Sequence, residues 1–517
     1  MGHLLYQSAD VPWSYPAWAA AGSTNIIGED DRRVSWARIG TSSVKAVQVD
    51  AAGSVKAVAS RALDVSHPNP LWSEQNPDSW VEATIGAVDE LASTHPVAVA
   101  AVRGVGLSGQ MHGATLLDAA GTPLRPAILW NDGRSHVECR ELEARLPALH
   151  SIAGNLAMPG FTAPKLLWVA NHEPEIFRRT AKVLLPKAYV RFRLTGAMVE
   201  DMSDAAGTLW LDVGRRRWSE EILAACRMSL AQMPSLVEGS ESSGQLTADL
   251  TTRWGMKPGV VVAGGAGDCA ASAIGLGAIA PGQAFLSLGT SGVLFAVTDQ
   301  FAPNAISAVH AFCHALPGIW HQMGVMLSAA ASLAWLADVL RAREADLLEP
   351  LGTAVDSPSP VKFLPYLSGE RTPLNDAKAS GAFVGLRADT SRSHIVQAVL
   401  EGVAFAARDN LVALAAAGTH LSEVDLVGGG SRSPLWTQIV ADVLGLPVHR
   451  VEEGEVGAAL GAARLGRLAD TGEAPAVVCT RPSRLATCLP RPAQVAAYEE
   501  SYAQWSKLYP ALKEISR

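Results

Sequence analysis

Two short stretches of this chain are copies of one another. Ile39-Gly40-Thr41-Ser42-Ser43-Val44, running on to Asp50, is echoed by Leu288-Gly289-Thr290-Ser291-Gly292-Val293, running on to Asp299. In each, a Gly-Thr-Ser turn separates two strand-like runs, which reads as a β-hairpin with small residues at its tip. One such turn says little, because small polar residues are what tight turns demand. Two in register, each heading one half of a 517-residue chain, imply duplicated domains that face each other across a cleft. Exposed backbone N–H groups and hydroxyls at the two tips would then hold the phosphates of a nucleotide from both sides. That is the arrangement of the actin-like ATPase (ribonuclease H-like) fold.

The rest of the chain agrees with an α/β architecture of two domains, each within the size one core supports. Short β-branched runs, Val44 to Val49, Val260 to Ala263 and Val424 to Val427, alternate with longer helical patterns. Residues 1–33 show no period of 2 or 3.6 and read as an irregular leader, so order is expected from Val34. The division expected is 34–277 and 278–517, the second ending in a terminal helix over Tyr498 to Leu512.

Composition narrows the function classes. A net charge of -8 with no Lys/Arg run argues against nucleic acid as a partner. The six cysteines are scattered, with no CxxC pair, so neither a disulfide framework nor a structural metal site is indicated and the cytoplasm is the expected compartment. The longest apolar stretches are bounded by Asp268, or by Ser328 and Asp338, so no membrane partner is expected.

Three segments can carry chemistry. Gly264-Gly265-Ala266-Gly267 leads from a strand into Asp268, which opens an Ala-rich helical segment. Asp268 is either a helix cap or a carboxylate placed where backbone lets a ligand approach closely. Gly428-Gly429-Gly430 precedes a helix with Ser433 as its cap, Pro434 at its first position and Gly445 at its end. These glycines serve either close helix–strand packing or a flat nucleotide surface. Finally, Ser108-Gly109-Gln110-Met111-His112-Gly113 and Trp130-Asn131-Asp132-Gly133-Arg134 combine an apolar wall with polar groups, as carbohydrate sites do; both His112 and Trp130 also suit a core position.

These segments, with two longer ones, resemble the FGGY carbohydrate kinases. Gly160-Phe161-Thr162-Ala163-Pro164-Lys165-Leu166-Leu167-Trp168 and onward to His172 fits the family's first signature. Gly381-Ala382-Phe383-Val384-Gly385-Leu386, with His394-Ile395 and Ala398-Val399-Leu400-Glu401, fits the second. A narrower likeness to the xylulose kinases of that family lies in the segments at Ser108 and Trp130, in Met202-Ser203-Asp204-Ala205-Ala206-Gly207-Thr208, and in Leu364 to Pro373. The resemblance implies transfer of the γ-phosphate of ATP, with Mg2+, to the 5-hydroxyl of D-xylulose, forming D-xylulose 5-phosphate. It implies a sugar-binding domain over 34–277 and a nucleotide-binding domain over 278–517, and leaves a homodimer open. Asp268 would be the general base. Met111, His112, Trp130, Asp268 and Cys269 would meet the sugar. Gly40, Thr41, Ser42, Gly289, Thr290, Ser291, Gly428, Gly429 and Gly430 would hold phosphate and nucleotide.

The chain departs from that pattern at Arg38, where xylulose kinases carry an Asp that helps place the metal, and at Cys269, where they commonly carry Asn. A metal ligand is therefore not assigned. Either the native reading frame differs upstream of Ile39, or Arg38 contacts the ATP phosphates itself. Two rival functions follow: a kinase of the same family acting on another ketose or polyol, and a catalytically impaired sugar- or nucleotide-binding protein.

Overall fold

The computed structural model describes residues 33–50, 53–452 and 457–515. The expected leader lies outside the described residues except for Arg33, which already belongs to the first strand, one residue before the expected start of order.

The first half is built on one sheet. Its strands are β1 (Arg33–Ile39), β2 (Ser43–Val49), β3 (Val55–Ala62), β4 (Val102–Gly109), β5 (Ser242–Gln245), β6 (Val261–Ala263) and β7 (Ala266–Gly267). They are ordered β5-β6-β4-β1-β2-β3, with β7 beside the end of β4. The second half has β8 (Ala284–Leu288), β9 (Gly292–Thr298), β10 (His310–Cys313), β11 (Trp320–Met326), β12 (Val424–Val427), β13 (Val448–Val451) and β14 (Arg484–Cys488), ordered β10-β11-β9-β8-β12-β13-β14.

The duplication read from the hairpins extends to the topology. β1 and β2 pair antiparallel, β2 and β3 antiparallel, and β4 and β6 join parallel to β1. β8 and β9, β9 and β11, and then β12 and β13 repeat that order and those senses. The two Gly-Thr-Ser turns are therefore the same β1–β2 connection made twice. This is the two-domain actin-like α/β fold.

Five helices matter in the first half: α1 (Pro77–Thr94), α2 (Thr162–His172), α3 (Pro186–Thr195), α4 (Met202–Ala206) and α5 (Asp268–Gly275). In the second half they are α6 (Ala330–Leu340), α7 (Arg392–Ala416), α8 (Pro434–Leu444), α9 (Gly457–Thr471), α10 (Pro492–Trp505) and α11 (Leu508–Leu512). α8 begins as its sequence dictates: the Ser433 side chain accepts from Trp436 N, Pro434 stands at the first position, and Gly445 closes the helix at φ 69°. The C-terminal segment is two helices rather than one, broken between Trp505 and Leu508, and it is docked by the buried Tyr498 and Trp505.

The second half lends the first a helix. α9 lies across β4, so closely that a Cβ on Gly106 would sit 1.7 Å from Ala462 O and one on Gly104 2.5 Å from Gly466 O. α9 also meets α5 backbone to backbone, where a Cβ on Gly461 would stand 1.7 Å from Ala271 O and one on Gly275 2.0 Å from Gly457 O. Ala273 of α5 belongs to the same apolar cluster as Phe285 and Phe295 of the second sheet. Only glycine permits such approach without moving backbone.

Among the described residues no helix is long and apolar enough to cross a membrane. The six cysteines form no disulfide.

Candidate active site

The segment between β4 and β5, residues 110–241, is a long excursion from the sheet, and it carries the expected sugar residues. Excursions of this length inside a compact domain are usually functional. It starts with Met111 and His112, held from three sides. His112 sits at φ 69°, and its backbone carbonyl accepts from Lys165 Nζ at 2.9 Å and Thr162 Oγ1 at 3.1 Å. Its ring rests edge-on against Phe161, with centroids 4.8 Å apart. His112 Nδ1 lies 2.6 Å from Gly207 O, which fixes Nδ1–H as the donor and leaves Nε2 as an acceptor. Burial pushes this imidazole down to about 3, so it is neutral at physiological pH. The ring is partly open to the cleft and hydrogen-bonded, so it is a polar group presented by a packed loop.

Asp268 is the first residue of α5, and Gly267 is its cap, so the helix-cap reading of Asp268 does not hold. Its Oδ1 accepts from Cys269 N at 2.8 Å. Met111 adjoins it: a Cβ on Gly267 would stand 2.7 Å from Met111 Sδ. The carboxyl opens partly onto the cleft, yet burial among the neighbouring elements raises its pKa above the ordinary Asp value. The positive charge of Arg38 and the Cys269 N–H pull it back down. Arg38 is exposed at the end of β1, opposite Ser108. Cys269, half-buried beside the acid, has its thiol held well up, by burial first and by Asp268 second, and is therefore a neutral thiol.

Trp130 is 46% exposed, which excludes the core position that its size would suggest. Its motif neighbours hold it there. Asp132 accepts from Arg134 and from Ser73 N, while the Arg134 guanidinium lies over the Trp72 ring. Trp130 Nε1 donates to Thr41 Oγ1 at 3.0 Å, and Thr41 Oγ1 donates to Gln110 Oε1 at 3.2 Å. Gln75 Nε2 reaches Thr41 O at 2.6 Å, and Gln110 Nε2 reaches Gln75 Oε1 at 2.9 Å. The first tip is thus wired to the sugar side. Gly40 N–H donates to Ser43 O inside the turn, and Ser42 alone of the three is exposed.

The second tip is different. Thr290 and Ser291 are exposed, and Gly289 and Thr290 accept through their carbonyls from the first turn of α6 and the residue before it. Gly289 and Thr290 line a cavity of about 910 Å³, together with α6, Glu344 to Gly352, and Gly429 to Trp436. The three glycines divide by their surroundings. Gly428 and Gly430 serve packing, since a Cβ on either would come within 2.8 Å of Leu288. Gly429 has nothing within 4 Å of its Cβ position and faces open space.

Residues 38–275 match the N-terminal domain of the FGGY family of carbohydrate kinases, and residues 284–469 match its C-terminal domain. The xylulose kinase of Escherichia coli (strain K12) is 49% identical over 476 residues, covering 92% of this chain and 98% of that protein. The xylulose kinase of Bacillus subtilis (strain 168) is 37% identical, covering 83% of this chain and 86% of that protein. Among solved structures, a xyloylose kinase from Brucella ovis superposes with a TM-score of 0.91 at 54% identity, covering 94% of this chain and all of that one.

The chain belongs to the FGGY family of carbohydrate kinases. It is a phosphotransferase that uses ATP.

The family signatures are structural braces rather than reacting groups. In the first, Lys165 donates to His112 O and to Gly160 O at 2.7 Å, so a buried ammonium, its pKa drawn down to about 7 by burial, clamps the sugar loop. In the second, both oxygens of Glu401 accept from Ser359 N, and Oε1 also accepts from Tyr498 Oη. The site also recruits Gln75 and Gln110 at the first tip, and Arg371, whose Nη1 lies 3.4 Å from His310 Nε2. Gln110 and Arg371 lie inside segments already marked by the sequence, whereas no local pattern singles out Gln75. Gln75 is brought to the tip by a strand pairing, Glu74–Gln75 against Ala127–Ile128, that only the fold creates.

Among the described residues one group of three carboxylates has metal-ligand spacing: Glu200, Asp201 and Asp204. Lys187 Nζ already occupies it, 2.5 Å from Asp201, 2.7 Å from Glu200 and 3.4 Å from Asp204.

Proposed function

We propose that this kinase transfers the γ-phosphate of ATP to the 5-hydroxyl of D-xylulose, forming D-xylulose 5-phosphate and ADP. The observation that carries the reading is the desolvated Asp268 carboxyl beside the Met111–His112 loop, a positioned base with no neighbouring acid to compete for the proton. The likeness to xylulose kinases from several organisms supports the sugar.

Asp268 takes the proton of the attacking hydroxyl as the new O–P bond forms and the bond from the γ-phosphorus to the β,γ-bridging oxygen breaks. It then returns the proton to solvent. His112 Nε2 accepts from a sugar hydroxyl, Met111 and Trp130 supply apolar wall, and Cys269 adjoins the base. Gly40, Thr41, Ser42, Gly289, Thr290 and Ser291 surround the phosphates, with Gly428 to Gly430 beside the nucleoside. Residues 34–277 serve the sugar and 278–517 the nucleotide, and closure of the two excludes water that would otherwise hydrolyse ATP.

The donor set fits a magnesium ion carried by the phosphates and water rather than by a protein cage, because the position expected to help place it is Arg38 and the one three-carboxylate group is filled by Lys187. When bound, Mg2+ neutralises charge developing on the phosphates. Arg38 adds a second positive charge there and holds Asp268 in its basic form.

ADP release by the full chain with Mg-ATP, D-xylulose and a panel of ketoses and polyols tests this, alongside Arg38→Asp and Asp268→Ala. Turnover is expected with D-xylulose, lost in Asp268→Ala. A higher kcat/KM for another sugar would reassign the substrate. Turnover in Arg38→Asp but not in the parent would mark this chain as a binding protein disabled at Arg38.

A further inference from the structure

Beneath the base lies a fully buried polar centre to which the proposed mechanism gives no part. Asp201 caps α4: its Oδ1 accepts from Ser203 N at 2.9 Å and from Ser203 Oγ at 2.5 Å. Ser203 Oγ in turn accepts from Gly267 N at 3.1 Å, and Gly267 is the residue that leads into Asp268. The other oxygen of Asp201 meets Lys187 Nζ at 2.5 Å. Every one of these side chains is withdrawn from solvent.

The centre also underlies the sugar loop. A Cβ on Gly109 would stand 2.9 Å from Lys187 Cβ, so α3 is pressed against the residue two before Met111. Gly109 and Gly267 are register partners in the β4–β7 pairing. One lysine therefore underlies both strand ends, by its Cβ the one carrying Met111 and His112 and, through Asp201 and Ser203, the one carrying Asp268.

Burying three carboxylates against one ammonium would be costly. Burial drives the Asp204 carboxyl well above its usual range, against the pull of Lys187. The carboxylates face two buried cations, Lys187 and Arg191, whose guanidinium donates to Val199 O and Gly264 O. A centre balanced in this way is rigid, because moving any member leaves another charge unpaired.

We infer that Ser203, anchored by Asp201 and Lys187, is a positioning residue for Asp268. Its hydroxyl is the one side-chain oxygen that accepts the Gly267 N–H and thereby sets where α5 begins. The inference rests on Asp268 being the base.

Ser203→Ala removes a single oxygen and leaves the Asp201–Lys187 pair intact. Steady-state kinetics of the full-length variant with Mg-ATP and D-xylulose should show kcat lowered about tenfold, the worth of one buried hydrogen bond, with KM for both substrates within twofold. With Gly267 released, Asp268 loses its fixed place beside the Cys269 N–H that lowers its pKa. The acid limb of kcat against pH should therefore move to higher pH. Direct titration of D-xylulose should give the parent's affinity. A parent-like kcat and acid limb, or a variant that loses sugar affinity along with turnover, would overturn the inference and leave Ser203 a packing residue. Asp268→Asn is assayed beside it: full turnover there removes the base reading itself, whereas inactive Asp268→Asn with parent-like Ser203→Ala removes the positioning role alone.

Discussion

The two Gly-Thr-Ser tips have the same sequence, the same hairpin and the same place in the same topology, yet they are put to different uses. At the first, Thr41 is half-buried, bonded through its hydroxyl to Trp130 and Gln110 and through its carbonyl to Gln75. At the second, Thr290 and Ser291 are exposed, and Gly289 and Thr290 line a cavity of about 910 Å³. The cause lies downstream. In the first half the chain leaves β4 for the excursion 110–241, which brings Trp130 and Gln110 over the tip. In the second half β12 and β13 are joined by little more than α8, which leaves the tip uncovered. A duplicated hairpin is thus braced by side chains in one half and left open at a cavity in the other, according to what is inserted after the fourth strand.

If the tips serve two ligands, chemistry should depend most on the group that neither tip supplies. Asp268→Asn is expected to lower kcat by about 10²–10⁴, measured as ADP release, while leaving D-xylulose affinity near the parent's. The next test is to fill the second tip's cavity. Gly429→Val puts a side chain into space that is open, so the fold should survive. KM for ATP should rise about tenfold or more and KM for sugar stay put; equal changes in both would break the distinction. Thr41→Val is the reciprocal probe. Losing a hydroxyl that accepts from Trp130 and donates to Gln110 should cost about 1 kcal/mol, read as a severalfold rise in KM for D-xylulose with a smaller rise in KM for ATP.

The smallest expected effect is in the pH profile. Asp268 must be ionised to act, so the rate falls as pH drops through its pKa, which burial has already raised. Arg38 lowers that pKa, so Arg38→Ala should shift the acid limb of kcat/KM to higher pH and Arg38→Asp should shift it further. A shift in the opposite sense would show that Arg38 does not act on the base.

How much of this the sequence revealed depended on whether the signal was local. The hairpins, the Ser433–Pro434–Gly445 punctuation of α8 and the place of Asp268 at a strand-to-helix edge are encoded within a few residues, and each reads directly. The family resemblance supplied the ATP and the fold. What did not read was the role of residues acting across the chain. Lys165 sits inside a recognised signature, but its work is on a carbonyl 53 positions away. Trp130 looks like core from its size and is exposed because Asp132 and Arg134 brace its loop. The N-terminal boundary was one residue late because Arg33 and Val34 carry no pattern of their own; pairing with β4 draws them into the sheet.

The glycine seam between α9 and β4 bears on how this molecule comes apart. The second half lends α9 to the first sheet, so that sheet is not covered by its own sequence alone. A protease that cuts the exposed connection around Pro281–Gly282 should yield a nicked protein that still migrates as one particle and separates only on denaturation. By the same reasoning, the two halves produced as separate polypeptides should be insoluble alone and recoverable only when made together.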